Sequence, residues 1–69
     1  MVEELKMKYN YILNRYYNGC NYIEAHPDEF EDYINIVMGF KGQLEELLAK
    51  IEEIQLVSED DILGGFKIC

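Results

Sequence analysis

Apolar positions dominate one stretch of the chain, residues 27–57. Phe30, Tyr33, Val37, Phe40, Leu44, Leu47, Ile51 and Ile54 recur at alternating spacings of three and four without a miss. That period lays them along one stripe of a helix. Pro27 suits a first helical position, and Asp28, Glu29, Glu31 and Asp32 put negative charge where the helix dipole favours it. The spacing therefore predicts a helix over 27–57, about 45 Å long at 1.5 Å per residue. Within it, YINIVMGF at 33–40 is apolar on nearly every side, the pattern of a helix buried all round. Its β-branched content would also suit a strand; the unbroken heptad count selects the helix.

A second stripe precedes the first. Leu5, Tyr9, Ile12, Tyr16, Gly19 and Ile23, flanked by Leu13 and Cys20, predict a helix over 2–25. Asn18-Gly19 is a turn signal inside it. The period continues through 20–25, so one unbroken helix is expected, with Gly19 costing about 1 kcal/mol against Ala and letting another helix approach closely. The link Ala25-His26-Pro27 is short, which predicts antiparallel neighbours. Counting outward from it pairs Tyr16 with Val37, Ile12 with Phe40 and Leu5 with Leu47, and leaves 51–57 overhanging. Gly39 and Gly42 fall on the outer side of the stripe, where a closely packed neighbour or a kink beside Phe40 and Lys41 would account for them.

Residues 58–69 form a tail. Ser58-Glu59-Asp60-Asp61 has helix-cap chemistry, and Gly64-Gly65 stop the turn that follows. Ile62, Leu63, Phe66 and Ile68 either fold back over the overhang or leave the tail free as a linear motif. The expected fold is all-α: a single domain over 1–69, an antiparallel helical hairpin with a short C-terminal tail. Two such hairpins are expected to pack into a four-helix bundle, because one neighbour cannot cover Ile34, Ile36 and Met38 as well as the stripe. Leaving those three in water forgoes about 1.5–3 kcal/mol each. They are the expected oligomer interface of a homodimer or higher assembly, with Gly19, Gly39 and Gly42 letting the subunits come close.

Composition narrows the function. A chain of 69 residues is one small domain, of the size that commonly recruits a disulfide, a metal or a second subunit. Cys20 and Cys69 make no disulfide framework, and one His with no Cys pair gives no metal-ligand spacing. The N-terminus MVEELKMKYN is unlike a signal peptide and no run is long enough to span a membrane, so a cytoplasmic address is expected. A net charge of −8 opposes direct nucleic-acid binding and suits a basic partner surface. No phosphate loop, Ser/His/Asp set or inward-facing carboxylate pair is present, so neither catalysis nor a cofactor is expected.

One row stands out. Tyr11, Arg15, Asn18 and Tyr22 follow i, i+4, i+7 and i+11 on the face expected to lie opposite the seam, with Tyr17 nearby. Aromatics around an Arg and an Asn are the composition enriched at protein interfaces. The row is the expected partner-binding surface, for a second copy or a foreign protein. A different reading assembles Tyr16, Tyr17, Phe40 and Lys41, with Met38 and Arg15 beside them, into an oligomeric pocket for an anionic signalling nucleotide.

Two resemblances add to this. The acidic-then-apolar tail resembles the partner-docking tail of bacterial single-stranded-DNA-binding proteins, departing from it at Phe66-Lys67-Ile68-Cys69, where that pattern ends in Pro-Phe. The whole chain, MxxELxxxYNxILxRYYxGCxYI followed by an acidic heptad-rich helix, resembles in size and style the small acidic helical proteins of phages and prophages of low-GC bacteria. That resemblance implies action by binding, as an inhibitor, adaptor or assembly factor in the host-cell cytoplasm, and it carries no site residue. The expected function is a non-enzymatic protein-binding module that acts on a host defence protein as a homo-oligomer. The alternatives are nucleotide sequestration and structural assembly.

Overall fold

The first stripe becomes one helix, α1 (Val2–Ala25), unbroken at Asn18-Gly19. A Cβ built on Gly19 would lie 2.8 Å from Val37 Cγ2. The glycine therefore leaves the room that Val37 of the second helix occupies against α1. The chain's computed structural model describes residues 2–67; Ile68 and Cys69, which the sequence reading assigns to the tail, lie outside the described residues. Among those described, every regular element is helical.

The second helix is shorter than the heptads predict. Pro27–Glu29 form a separate 3-10 turn, and α2 runs Phe30–Glu52 before unwinding through 53–57. Two physical reasons set that end. Glu52 and Glu53 crowd the negative end of the helix dipole, where acids are unfavourable. The observed register also brings the start of α1 alongside the mid-fifties, so the seam runs out there. Ile54 is exposed and Leu56 fully so. At the other end Phe30 and Tyr33 are also exposed, so the outermost members of the predicted stripe lie outside the core.

The hairpin is antiparallel as expected, but its register is displaced by about one turn. Gly19, not Tyr16, meets Val37, and Arg15 rather than Ile12 lies over Phe40. The 3-10 turn at Pro27–Glu29 lengthens the connection, which the predicted helices over 2–25 and 27–57 reduce to His26. One consequence is that Ile51, counted as overhang, is the most buried side chain among the described residues at 0 % exposure. It forms the core with Tyr9, Leu13, Leu44 and Phe66.

Phe66 belongs to the tail, so the tail folds back. Ser58 and Asp61 close a capping box that starts α3 (Glu59–Gly64): Ser58 Oγ accepts from the Asp61 N–H at 3.2 Å, and Asp61 Oδ2 accepts from the Ser58 N–H at 3.3 Å. Gly65 then turns with φ of +91°, a region that other residues adopt at a cost. Beyond the turn, Asn10 of α1 takes hold of Phe66. Its Nδ2 donates to the Phe66 carbonyl at 2.8 Å, and the Phe66 N–H donates to Asn10 Oδ1 at 2.7 Å. The Tyr9 hydroxyl donates to the Ile62 carbonyl at 2.7 Å, and the Tyr17 hydroxyl donates to that of Leu63. The Phe66 ring meets Tyr9 edge-on at 5.2 Å, with Lys6 Nζ 5.9 Å from its centroid.

Three substitutions test this arrangement by urea unfolding followed by helical circular dichroism. Phe66→Ala should cost about 3 kcal/mol as a core truncation. Gly65→Ala should cost at least about 1 kcal/mol, since its Cβ would combine an unfavourable φ with a 2.8 Å approach to Asn10 Oδ1. Gly42→Ala, whose Cβ meets nothing within 4 Å, should raise stability by up to about 1 kcal/mol.

Candidate functional site

A two-helix hairpin has two flanks beside its seam. At 3.6 residues per turn, Tyr9, Leu13 and Tyr17 fall on one flank of α1, and Tyr11, Arg15 and Tyr22 on the other. The tail lies over the first flank, where Ile62 and Leu63 share a groove with Tyr16, Tyr17, Lys41 and Leu44. No element of the described chain covers the second flank. Its middle is Arg15, whose guanidinium carbon is 5.6 Å from the Tyr11 ring centroid and 5.5 Å from that of Phe40. Arg15 Nη1 also donates to the Tyr11 hydroxyl at 3.3 Å. Cation–π contact with two rings favours this placement of an exposed side chain.

Two depressions continue from Arg15 along this flank. Towards the turn, Gly19, Tyr22, Tyr33, Ile36, Val37 and Phe40 line one of about 220 Å³. Towards the open end, Lys8, Tyr11, Ile12, Gln43, Glu46, Leu47 and Lys50 line another of about 360 Å³. Tyr11, Tyr22, Tyr33 and Ile36 are all substantially exposed. The result is a strip of two apolar and aromatic depressions flanking Arg15, bordered by the cations Lys8, Arg15 and Lys50 and by the acids Glu46 and Glu29.

The turn end of the strip is held by Tyr22. Its ring stacks on His26 at 4.2 Å and meets Tyr33 edge-on at 5.2 Å. Its hydroxyl donates to Glu29 Oε2 at 2.9 Å, while His26 Nδ1 lies 3.1 Å from the Tyr22 carbonyl. Donating to the Glu29 carboxylate pushes the Tyr22 phenol up to about 12, with burial and the Glu29 charge adding to the effect. The phenols of Tyr9, mainly through burial, and of Tyr16, mainly through its hydrogen bond with Cys20, are raised as well.

The residues singled out in the sequence land as follows. Tyr11, Arg15 and Tyr22 lie on the uncovered flank, and Asn18 is exposed beyond them. The row borders the seam instead of standing opposite it, because Arg15 and Tyr22 reach Phe40 and Tyr33 of α2. Tyr17 is turned to the other flank, where it binds the tail. Ile36 lines the uncovered strip, whereas Ile34 and Met38, two residues to either side, point nearly opposite on the helix. Those three are not one patch. Tyr16, Tyr17 and Lys41 share the groove beside the tail, but Phe40 lies in the other groove, so this chain does not assemble that set into one pocket. Asn10, which grips the tail, went unread; a single amide inside a helical pattern carries no local sign of a contact 56 residues away.

The high Tyr22 value gives a test with a definite sign. A phenol raised in the fold contributes stability below its ordinary value near 10, and that contribution disappears as pH rises through about 12. Phenolate absorbance of the folded chain should therefore show its last step near pH 12, and Tyr22→Phe should remove that step. Persistence of the step in the variant would assign it to another tyrosine.

Set beside known proteins, the chain matches no family model, no curated protein and no solved structure.

Proposed function

We propose that this chain is a non-enzymatic protein-interaction module that docks another protein on the uncovered flank of its hairpin. The observation that carries the reading is the asymmetry between flanks. The tail lies along one, burying Phe66 and setting Ile62 and Leu63 beside a groove, and no described element lies over the other, around Arg15. Exposed Tyr and Arg around a shallow apolar strip are the components that concentrate binding energy at interfaces. In its fuller form the module is an inhibitor or adaptor of phage type that engages a host protein. A second hairpin laid on the same strip would give the four-helix bundle, with Ile36 inside the interface. The nucleotide-binding reading has less support, because its Phe40 lies apart from Tyr16, Tyr17 and Lys41.

Paired variants on the two flanks test the reading. Ile36→Glu places a charge in the open strip, and Met38→Glu places one on the other side of α2. Both positions are about half exposed, so both variants should keep the helical spectrum of the parent. Sedimentation and co-purification from a bacterial lysate should show associations that Ile36→Glu removes and Met38→Glu leaves intact. Associations that survive Ile36→Glu unchanged would leave the strip without a role.

A further inference from the structure

We propose that the seat on α1 that holds the tail also takes the tail of a second copy, so that two chains exchange residues 57–66 in a domain-swapped dimer. The occupant is the segment already seen on the seat. The covered flank alone is involved, so the proposal is independent of what docks on the open one.

The seat grips main chain. Tyr9 donates to the Ile62 carbonyl, Tyr17 donates to that of Leu63, and Asn10 pairs with both the N–H and the carbonyl of Phe66. The Phe66 ring adds a buried side chain, edge-on to Tyr9. None of these contacts requires the tail to belong to the same chain. A second copy's tail makes every one of them in the same geometry, and each chain supplies Phe66 to the other's core. Exchange therefore leaves the seat's own energy unchanged. The balance between monomer and dimer falls to chain concentration and to the hinge that joins the tail to α2.

That hinge is poised to open. The chain leaves α2 at Glu52 with neither Gly nor Pro in residues 53–57 to require it. Ile54 continues the apolar stripe after Ile51, and Glu53, Gln55 and Leu56 are good helix formers. In the closed chain the reversal leaves Ile54 58 % and Leu56 97 % exposed. Continuing α2 to Leu56 moves its negative end away from Glu52 and Glu53. It also starts the tail about 6 Å farther out, at 1.5 Å per residue. Only Val57 and Ser58 then remain between α2 and α3 for a reversal that residues 53–58 now make. A link that short directs the tail outward, to a chain standing open end to open end, which is the geometry in which hinge segments exchange.

The test uses the full chain. Equal amounts of isotope-labelled and unlabelled protein are unfolded together in urea and refolded at millimolar concentration. High salt screens the repulsion between chains that each carry −8. Gel filtration should then separate a dimer. Isotope-filtered NMR of that dimer should show contacts between the Tyr9 ring of one chain and the Phe66 ring of the other, which lie 5.2 Å apart on an occupied seat. Leu56→Ala and Leu56→Gly change an exposed hinge side chain, so both should keep the closed fold. The Ala variant should associate about twenty-five-fold more tightly than the Gly variant, because Gly disfavours helix by about fivefold in each of two hinges. Ile36→Glu, on the open strip, should leave the dimer intact. Absence of a dimer, Tyr9–Phe66 contacts confined within each chain, or equal association of the two hinge variants overturns the proposal. A dimer that Ile36→Glu dissociates also overturns it, and assigns the second copy to the open strip.

Discussion

The structure depends on one contact of long sequence separation: the Asn10 amide pairing with both main-chain polar groups of Phe66. An amide inside a helix has no partner of its own there, and Phe66 follows a glycine turn that leaves its N–H and carbonyl unpaired within the tail. Each satisfies the other, as buried and half-buried polar groups must. Everything near the open end follows from that pairing. Phe66 reaches the core, Ile51 loses its last exposed surface, and Tyr9 is enclosed between the ring of Phe66 and the carbonyl of Ile62. A chain of this size has a small core, and a contact that supplies one aromatic of a cluster of five buried residues secures a large fraction of it.

The same contact makes the two flanks unequal. A helical hairpin leaves two apolar flanks, and a short tail can cover only one. The tail goes to the flank bearing Asn10, Tyr9 and Tyr17, which supply hydrogen-bonding groups to main-chain atoms. The other flank offers Tyr11 and Tyr22, whose hydroxyls are engaged by Arg15 and Glu29. Side-chain chemistry on α1, sorted by helical position, thus determines which flank closes and which stays open.

Much of the architecture was legible because helices announce themselves locally. The two stripes gave two helices, the acids after Pro27 marked the start of the second, and Ser58-x-x-Asp61 marked the start of α3. What was not legible depends on geometry between elements. A link of His26 alone and one containing a 3-10 turn look alike in sequence, yet they shift the helix register by about one turn and move Ile51 from overhang to core. The row of Tyr11, Arg15 and Tyr22 was visible as a period. Its position beside the seam required the contacts of Arg15 with Phe40 and of Tyr22 with Tyr33. Heptad counting places Ile34, Ile36 and Met38 together only as residues outside the stripe; on the helix they diverge, and Ile36 alone lines the open strip.

The most direct measurement of this two-flank account is hydroxyl-radical footprinting of the full chain, read residue by residue at low protein concentration. Tyr9 and Phe66, at 2 % and 6 % exposure, should be protected, while Tyr11, at 61 %, should be modified readily, with Tyr22 and Tyr33 in between. Modification of Phe66 as fast as Tyr11 would mean that the tail does not dock on its flank, and would contradict the account at its base.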